Sequence, residues 1–132
     1  MSSKKNRPKK GYNGYLIPDQ ERSKILSQFP PKYSKVIAHH ITNDFGVYES
    51  LPPEIESCFI VGHADSGDGI EALVVEVNGT VIRNDGELFH ITLSLDPEKY
   101  KSKDSNNLIK EKGFEPLTSP VSIVVEPKFF LY

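Results

Sequence analysis

The sequence predicts a single α+β domain, mostly antiparallel strands with two short helices. Three observations point there. Short β-branched and apolar runs recur along the chain, as in Val36–Thr42, Ile70–Val77 and Leu88–Leu95. Tight-turn signals sit between such runs, at Asn78-Gly79 and Asn84-Asp85-Gly86. Helical spacing with start or stop signals occurs in only two places, Gln20–Phe29 and Asn106–Lys112. The 132 residues suffice for one continuous core without metals or disulfides.

Taken in order, Tyr12–Ile17 reads as a first strand closed by Pro18. Asp19 is the expected N-cap of a helix over Gln20–Phe29, whose Ile25, Leu26 and Phe29 share one face. Pro30-Pro31 ends it, and Val36–Thr42 follows as a strand. Asn43–Glu56, with Gly46 and Pro52-Pro53, reads as a surface loop. Ser57–His63 and Ile70–Val77 form a strand pair around the turn "DSGDG" at residues 65–69. A meander then runs through Thr80–Arg83 into Leu88–Leu95. Asp104 or Ser105 caps the second helix and Gly113 stops it. Val121–Glu126 is the last strand, with "KFFLY" extending it or packing beneath it.

One cysteine, Cys58, leaves no internal disulfide and no cysteine-based zinc site, which suits a reducing compartment. No apolar run reaches the length of a membrane span, and no signal-peptide stretch opens the sequence. A cytoplasmic protein without membrane contact is expected, in a host cytoplasm if the source is viral. The net charge of −2 is unevenly spread. Lys4, Lys5, Arg7, Lys9 and Lys10 take five of the 16 basic residues, leaving 11 against 18 acids and about −7 over residues 11–132. Residues 1–10 therefore read as a basic disordered tail, either simply solvated or an arm for RNA, and residues 11–132 as the domain. An acidic body favours a compact substrate over a long phosphate backbone.

The candidate chemistry lies in a repeated tripeptide, His40-Ile41-Thr42 and His90-Ile91-Thr92. On a strand, residues two apart share a face. His40 pairs with Thr42, and His90 with Thr92, while Ile41 and Ile91 point into a core. Two readings stand: partly buried structural histidines, or one site shared by two imidazoles and two hydroxyls. The second suits phosphodiester chemistry. One neutral imidazole takes a proton from the nucleophile, and the other, protonated, gives one to the leaving oxygen. The hydroxyls donate to the non-bridging phosphate oxygens, where charge builds.

Two His-x-Thr motifs on strands, one per half, resemble the signature of the 2H phosphoesterase superfamily. That group includes RNA-end phosphodiesterases, domains of RNA-repair enzymes and phage enzymes that destroy cyclic-nucleotide immune signals. The ordered segments "GYNGYLIPDQERSKILSQFPP", "VIAHHIT", "IVGHADSGDGIEALVVEVNG", "NDGELFHITLSLD" and "DSNNLI" are similar to its small RNA-repair-like Swiss Army Knife branch. The likeness spans nearly all of residues 12–125. It implies a compact bilobal fold with pseudo-symmetric lobes, one His-x-Thr strand from each lining a central cleft. It also implies phosphodiester cleavage that uses no metal or cofactor. His40 and His90 would be the acid–base pair, with Thr42 and Thr92 as phosphate ligands. The expected substrate is a cyclic oligonucleotide signal, a 2′,3′-cyclic phosphate or a 2′–5′ linkage, as for a phage anti-defence enzyme. Alternatives are RNA-end processing with help from the basic tail, and a non-catalytic nucleotide-binding module. The chain departs from larger members in the short spacing between motifs and the small second lobe.

Other residues carry weaker signals. Tyr12 and Tyr15, beside Gly14, are candidates to stack on a base or bond a phosphate, or else are core aromatics. Ser105 and Asn106 are placed to bind phosphate at a helix start, or simply to cap it. His39 is expected to face away from His40. His63 and Asp65 flank a turn, and no metal set is expected around them. Asp65 and Asp68 are assigned to the chemistry of that turn. Phe129, Phe130 and Tyr132 are either core or a flap.

Overall fold

In a computed structural model, residues 10–132 are described. The basic segment before Lys10 lies outside them, and Lys10 itself opens the first strand. Ten elements follow in order: β1 (Lys10–Leu16), α1 (Asp19–Gln28), β2 (Lys35–Val36), β3 (His40–Tyr48), β4 (Cys58–Asp65), β5 (Ile70–Val77), β6 (His90–Leu95), α2 (Asp104–Lys112), β7 (Glu115–Ser122) and β8 (Glu126–Leu131). The class is α+β, with every strand pairing antiparallel. The strands form a three-stranded sheet ordered β3-β1-β8 and a five-stranded sheet ordered β2-β6-β5-β4-β7.

Alternation along β5 divides the core. Leu73, Val75 and Val77 join Tyr15, Ile25, Ile41, Ile60, Ile91 and Leu93 in one buried cluster shared by α1 and the two sheets. Ala72 and Val74 face the other way and pack with Leu108 and Ile109 of α2. Ile41 and Ile91 thus sit, both fully buried, in the same cluster, with their His and Thr neighbours on the opposite faces.

The expected strand over Val36–Thr42 is in fact two strands from two sheets. Ile37 and Ala38 donate backbone bonds to Leu93 O and Thr92 O, continuing the β2 edge along β6. Ala38 then takes φ of 44°, a left-handed conformation rare for a residue with a side chain, and the chain changes sheets. His39 O already accepts from Ile17 N, beside β1. The expected loop over Asn43–Glu56 is strand as far as Tyr48, because β1 pairs with it through two register shifts. Gly46, at φ of 64°, bends that strand rather than ending it.

The C-terminal prediction also splits. β7 pairs with β4, whereas β8 pairs with β1. The expected strand over Val121–Glu126 therefore straddles the end of β7 and the start of β8, and Pro116, Pro120 and Pro127 fit because both are sheet edges, where a missing N–H is tolerated. Neither helix has the side-chain cap expected of it. Pro18 and Lys103 occupy the cap positions, Asp19 and Asp104 are already helical, and Thr80–Arg83 contributes only isolated bridges. Asn78-Gly79 is the expected tight turn, both residues left-handed and closed by reciprocal bonds between Val77 and Thr80. Gly113 stops α2 at φ of 69°. Among the described residues, no helix is long and apolar enough to cross a membrane.

Candidate active site

The change of sheet at Ala38 sets His40 as the first residue of β3, and His90 is the first of β6. These strands touch, although they belong to different sheets. Consequently His40, Thr42, His90 and Thr92 all line one cleft of about 200 Å³, together with Tyr12 and Arg83.

The two imidazoles are held differently. His90 Nδ1 lies 2.9 Å from Leu88 O. A carbonyl only accepts, so Nδ1 carries the hydrogen and Nε2 is left to exchange a proton. Burial holds the His90 pKa below the ordinary histidine value, the Leu88 carbonyl opposes that, and the Arg83 charge adds to it. His40 Nδ1 lies 2.9 Å from Nδ1 of His39, a contact that needs one hydrogen between the two nitrogens. The His40 pKa is pushed down to about 4, first by burial and then by His39 and His90. Both imidazoles line the same cleft.

His39 therefore does not stand apart from His40, as strand alternation predicted. It lies in the segment between sheets, where alternation does not apply, and its exposed ring meets that of His40 edge-on at 5.1 Å. On the other side, Tyr12 packs 5.3 Å from His40 and stacks on Phe130 at 4.8 Å. Phe130 and Tyr132 are part of this aromatic wall, with Tyr132 6.1 Å from Tyr12.

The hydroxyls are also unequal. Thr42 is buried, and its hydroxyl makes no hydrogen bond among the described residues. Thr92 Oγ1 lies 3.2 Å from Ser102 O and 2.8 Å from Ser105 Oγ, so its single hydrogen already has a protein acceptor. Ser105, expected as a phosphate ligand, does not line the cleft. It is fully buried behind Thr92, because its place in the first turn of α2 turns it toward β6. Tyr15 is likewise a core residue, 1% exposed, with its hydroxyl donating to Pro53 O at 2.7 Å and its pKa pushed up to about 12 mainly by burial. Register decides between the tyrosines: Tyr15 pairs opposite Ile41, facing the core, while Tyr12 falls beyond a bulge.

Sequence reading missed Arg83, which lies on the excursion from β5 to β6. Only the nearby Asn-Asp-Gly turn was visible there, and no motif marks a guanidinium that faces a cleft. His63 and Asp65, outside this cleft, do more than flank a turn. His63 Nε2 is 2.9 Å from Glu71 Oε1, a carboxylate that raises the His63 pKa. Asp65 accepts from Lys32 and the Tyr33 hydroxyl, and Asp68 from the Tyr100 hydroxyl. No group of three or more metal-ligating side chains occurs among the described residues. The chain matches no family model, no curated protein and no solved structure.

Proposed function

We propose that the protein is a phosphodiesterase of 2H type acting on a small ribonucleotide. The observation that carries this reading is the meeting of two His-x-Thr pairs, from different sheets, in one cleft. The three-stranded sheet and the five-stranded sheet stand for the two lobes of such an enzyme. The substrate is a cyclic oligonucleotide signal, a 2′,3′-cyclic phosphate or a 2′–5′ linkage, the first fitting a phage anti-defence role.

Tautomers and charges favour one division of labour between the histidines. His40 is the base: its low pKa keeps it neutral, and in the tautomer that donates Nδ1–H to His39 the lone pair lies on Nε2. His90 is the acid: burial lowers its pKa, the Leu88 carbonyl opposes that, and the charge of a bound phosphate would favour the protonated form and offset Arg83. The proton of the attacking water or ribose hydroxyl passes to His40 Nε2 as its oxygen bonds to phosphorus. The bond from phosphorus to the leaving oxygen breaks as that oxygen takes the proton from His90 Nε2. Thr42 donates to a non-bridging oxygen, and Thr92 does so by releasing Ser102 O while accepting from Ser105. Tyr12 gives a stacking surface for a base. His39 acts through His40 and is a positioning residue.

The test is turnover of a panel of 2′,3′-cyclic nucleotides, 2′–5′ and 3′–5′ dinucleotides, and cyclic di- and trinucleotides, with chelator present. Turnover lost in folded His40→Ala and His90→Ala proteins is expected. Equal rates in wild type and both variants would refute the assignment. Binding without turnover of any member would make the cleft a nucleotide-binding module.

A further inference from the structure

The geometry points to Arg83 as a built anion site in this cleft, one that holds a phosphate oxygen of the substrate. The inference rests on the phosphate reading of the cleft and adds a ligand that neither His-x-Thr motif contains.

Arg83 is an unusual cation. Its side chain is only 1% exposed, yet it lines the cleft. Asp85 grips one edge of the guanidinium, accepting from Nε at 3.0 Å and from Nη2 at 2.8 Å. The turn around it is tied by Arg83 N to Glu87 O at 2.7 Å and Gly86 N to Arg83 O at 3.0 Å. Phe45 lies 5.3 Å from the guanidinium carbon and supports its plane. The remaining nitrogen, Nη1, is buried and has no hydrogen-bond partner among the described residues.

Leaving a charged donor buried and unpaired costs stability, so a guanidinium that served the turn alone would turn that edge to water. Arg83 instead keeps a fixed fork with two nitrogens committed and one free. That is the arrangement expected of a preorganised anion ligand. Asn106 Oδ1, also lining the cleft, is a second buried atom without a partner among the described residues. It is an acceptor, its Nδ2 lying 3.4 Å from Lys103 O. A donor and an acceptor left open in one cleft fit a ligand with both an anionic oxygen and a hydroxyl, as in a ribonucleotide. The need for Arg83 also follows from the threonines. Thr92 must release Ser102 O before it can donate, so the two threonine hydroxyls supply two donors at most and no positive charge. Lys103 also lines the cleft but is exposed, and its charge is screened.

The experiment is an NMR titration of the full chain with inorganic phosphate and, separately, a nucleoside 3′-monophosphate. In wild type the Arg83 Nε–Hε signal and the His90 ring signals should move together on one binding curve. Arg83→Met should weaken binding of both probes by about ten-fold or more, with Arg83→Lys between the two. Lys103→Ala should change affinity by about two-fold or less. Equal affinity in wild type and Arg83→Met overturns the inference, as does a wild-type Arg83 signal that stays still while phosphate binds. Failure of wild type to bind either probe at about 10 mM, the very weak end of the affinity scale, overturns it too. Should Arg83→Met fail to fold, the wild-type Arg83 signal decides alone. Phosphate held by Arg83 without turnover of any phosphodiester would keep this inference and remove the proposed function. Turnover with binding unaffected by Arg83→Met would do the reverse.

Discussion

Neutral burial of His40 makes a quantitative demand on stability. Its pKa is about 4 in the fold against 6.5 when solvated, so between those values the unfolded chain binds a proton that the native state refuses. Stability from this group is complete above pH 6.5 and drains away as pH falls toward about 4. By about pH 4.5 the loss relative to neutral pH is about 2.5 kcal/mol, a large share of a small domain's stability. His40→Asn keeps a polar side chain but removes the titration. Urea unfolding of both proteins at about pH 7 and pH 4.5 isolates the term, because the lowered carboxylates Asp65, Asp68, Glu71 and Asp85 are common to both. Wild type should lose about 2.5 kcal/mol more than His40→Asn on acidification. Equal losses would mean that His40 is not held neutral by its site, and its assignment as the base would fall with it.

Other outcomes follow from the same geometry. The kcat/KM profile should be bell-shaped, rising as His40 deprotonates near pH 4 and falling as His90 loses its proton below 6.5, so activity should peak on the acid side of neutrality. A pH–rate series flat from pH 5 to 8 would contradict it. Gly14→Ala should destabilise by about 1–3 kcal/mol in thermal melts, since an added methyl would overlap the Ile41 carbonyl oxygen beside Thr42. Ser105→Ala should cost about 1–3 kcal/mol by removing the buried partner of Thr92, and should lower kcat as the Thr92 hydroxyl settles on Ser102 O. Deleting residues 1–9 should leave kcat/KM on a small nucleotide unchanged. Any weakening should be confined to long RNA and should flatten its salt dependence.

What the residues disclose depends on how local the cause is. β5 was legible to the residue over Ile70–Val77, because turn signals bound it and both its faces are buried. The facing of His90 with Thr92, and of His40 with Thr42, follows from strand alternation alone. The sheet change at Ala38 was hidden. Alanine gives no sign of a left-handed backbone, and only the competing edges of β6 and β1 impose it. That same change brings His39 against His40. β7 was hidden for the opposite reason, its prolines arguing against a strand whose edge position sequence does not disclose. Arg83 was invisible because its role arises from Asp85 and Phe45 fixing its plane, which is a matter of assembly.

Because His40 hangs from the three-stranded sheet and His90 from the five-stranded one, the cleft of the proposed enzyme works as a caliper. In that reading both jaws must reach the same phosphate for a proton to arrive on one side as another leaves. A linkage that is too wide or too narrow can still be gripped through its base or its charge, yet it loses alignment with both imidazoles together. Discrimination between linkages should therefore appear mainly in kcat, with KM nearly constant across the panel. The two jaws are joined through the short segment at Ala38, where the chain passes from one sheet to the other, and through the core cluster that both sheets share.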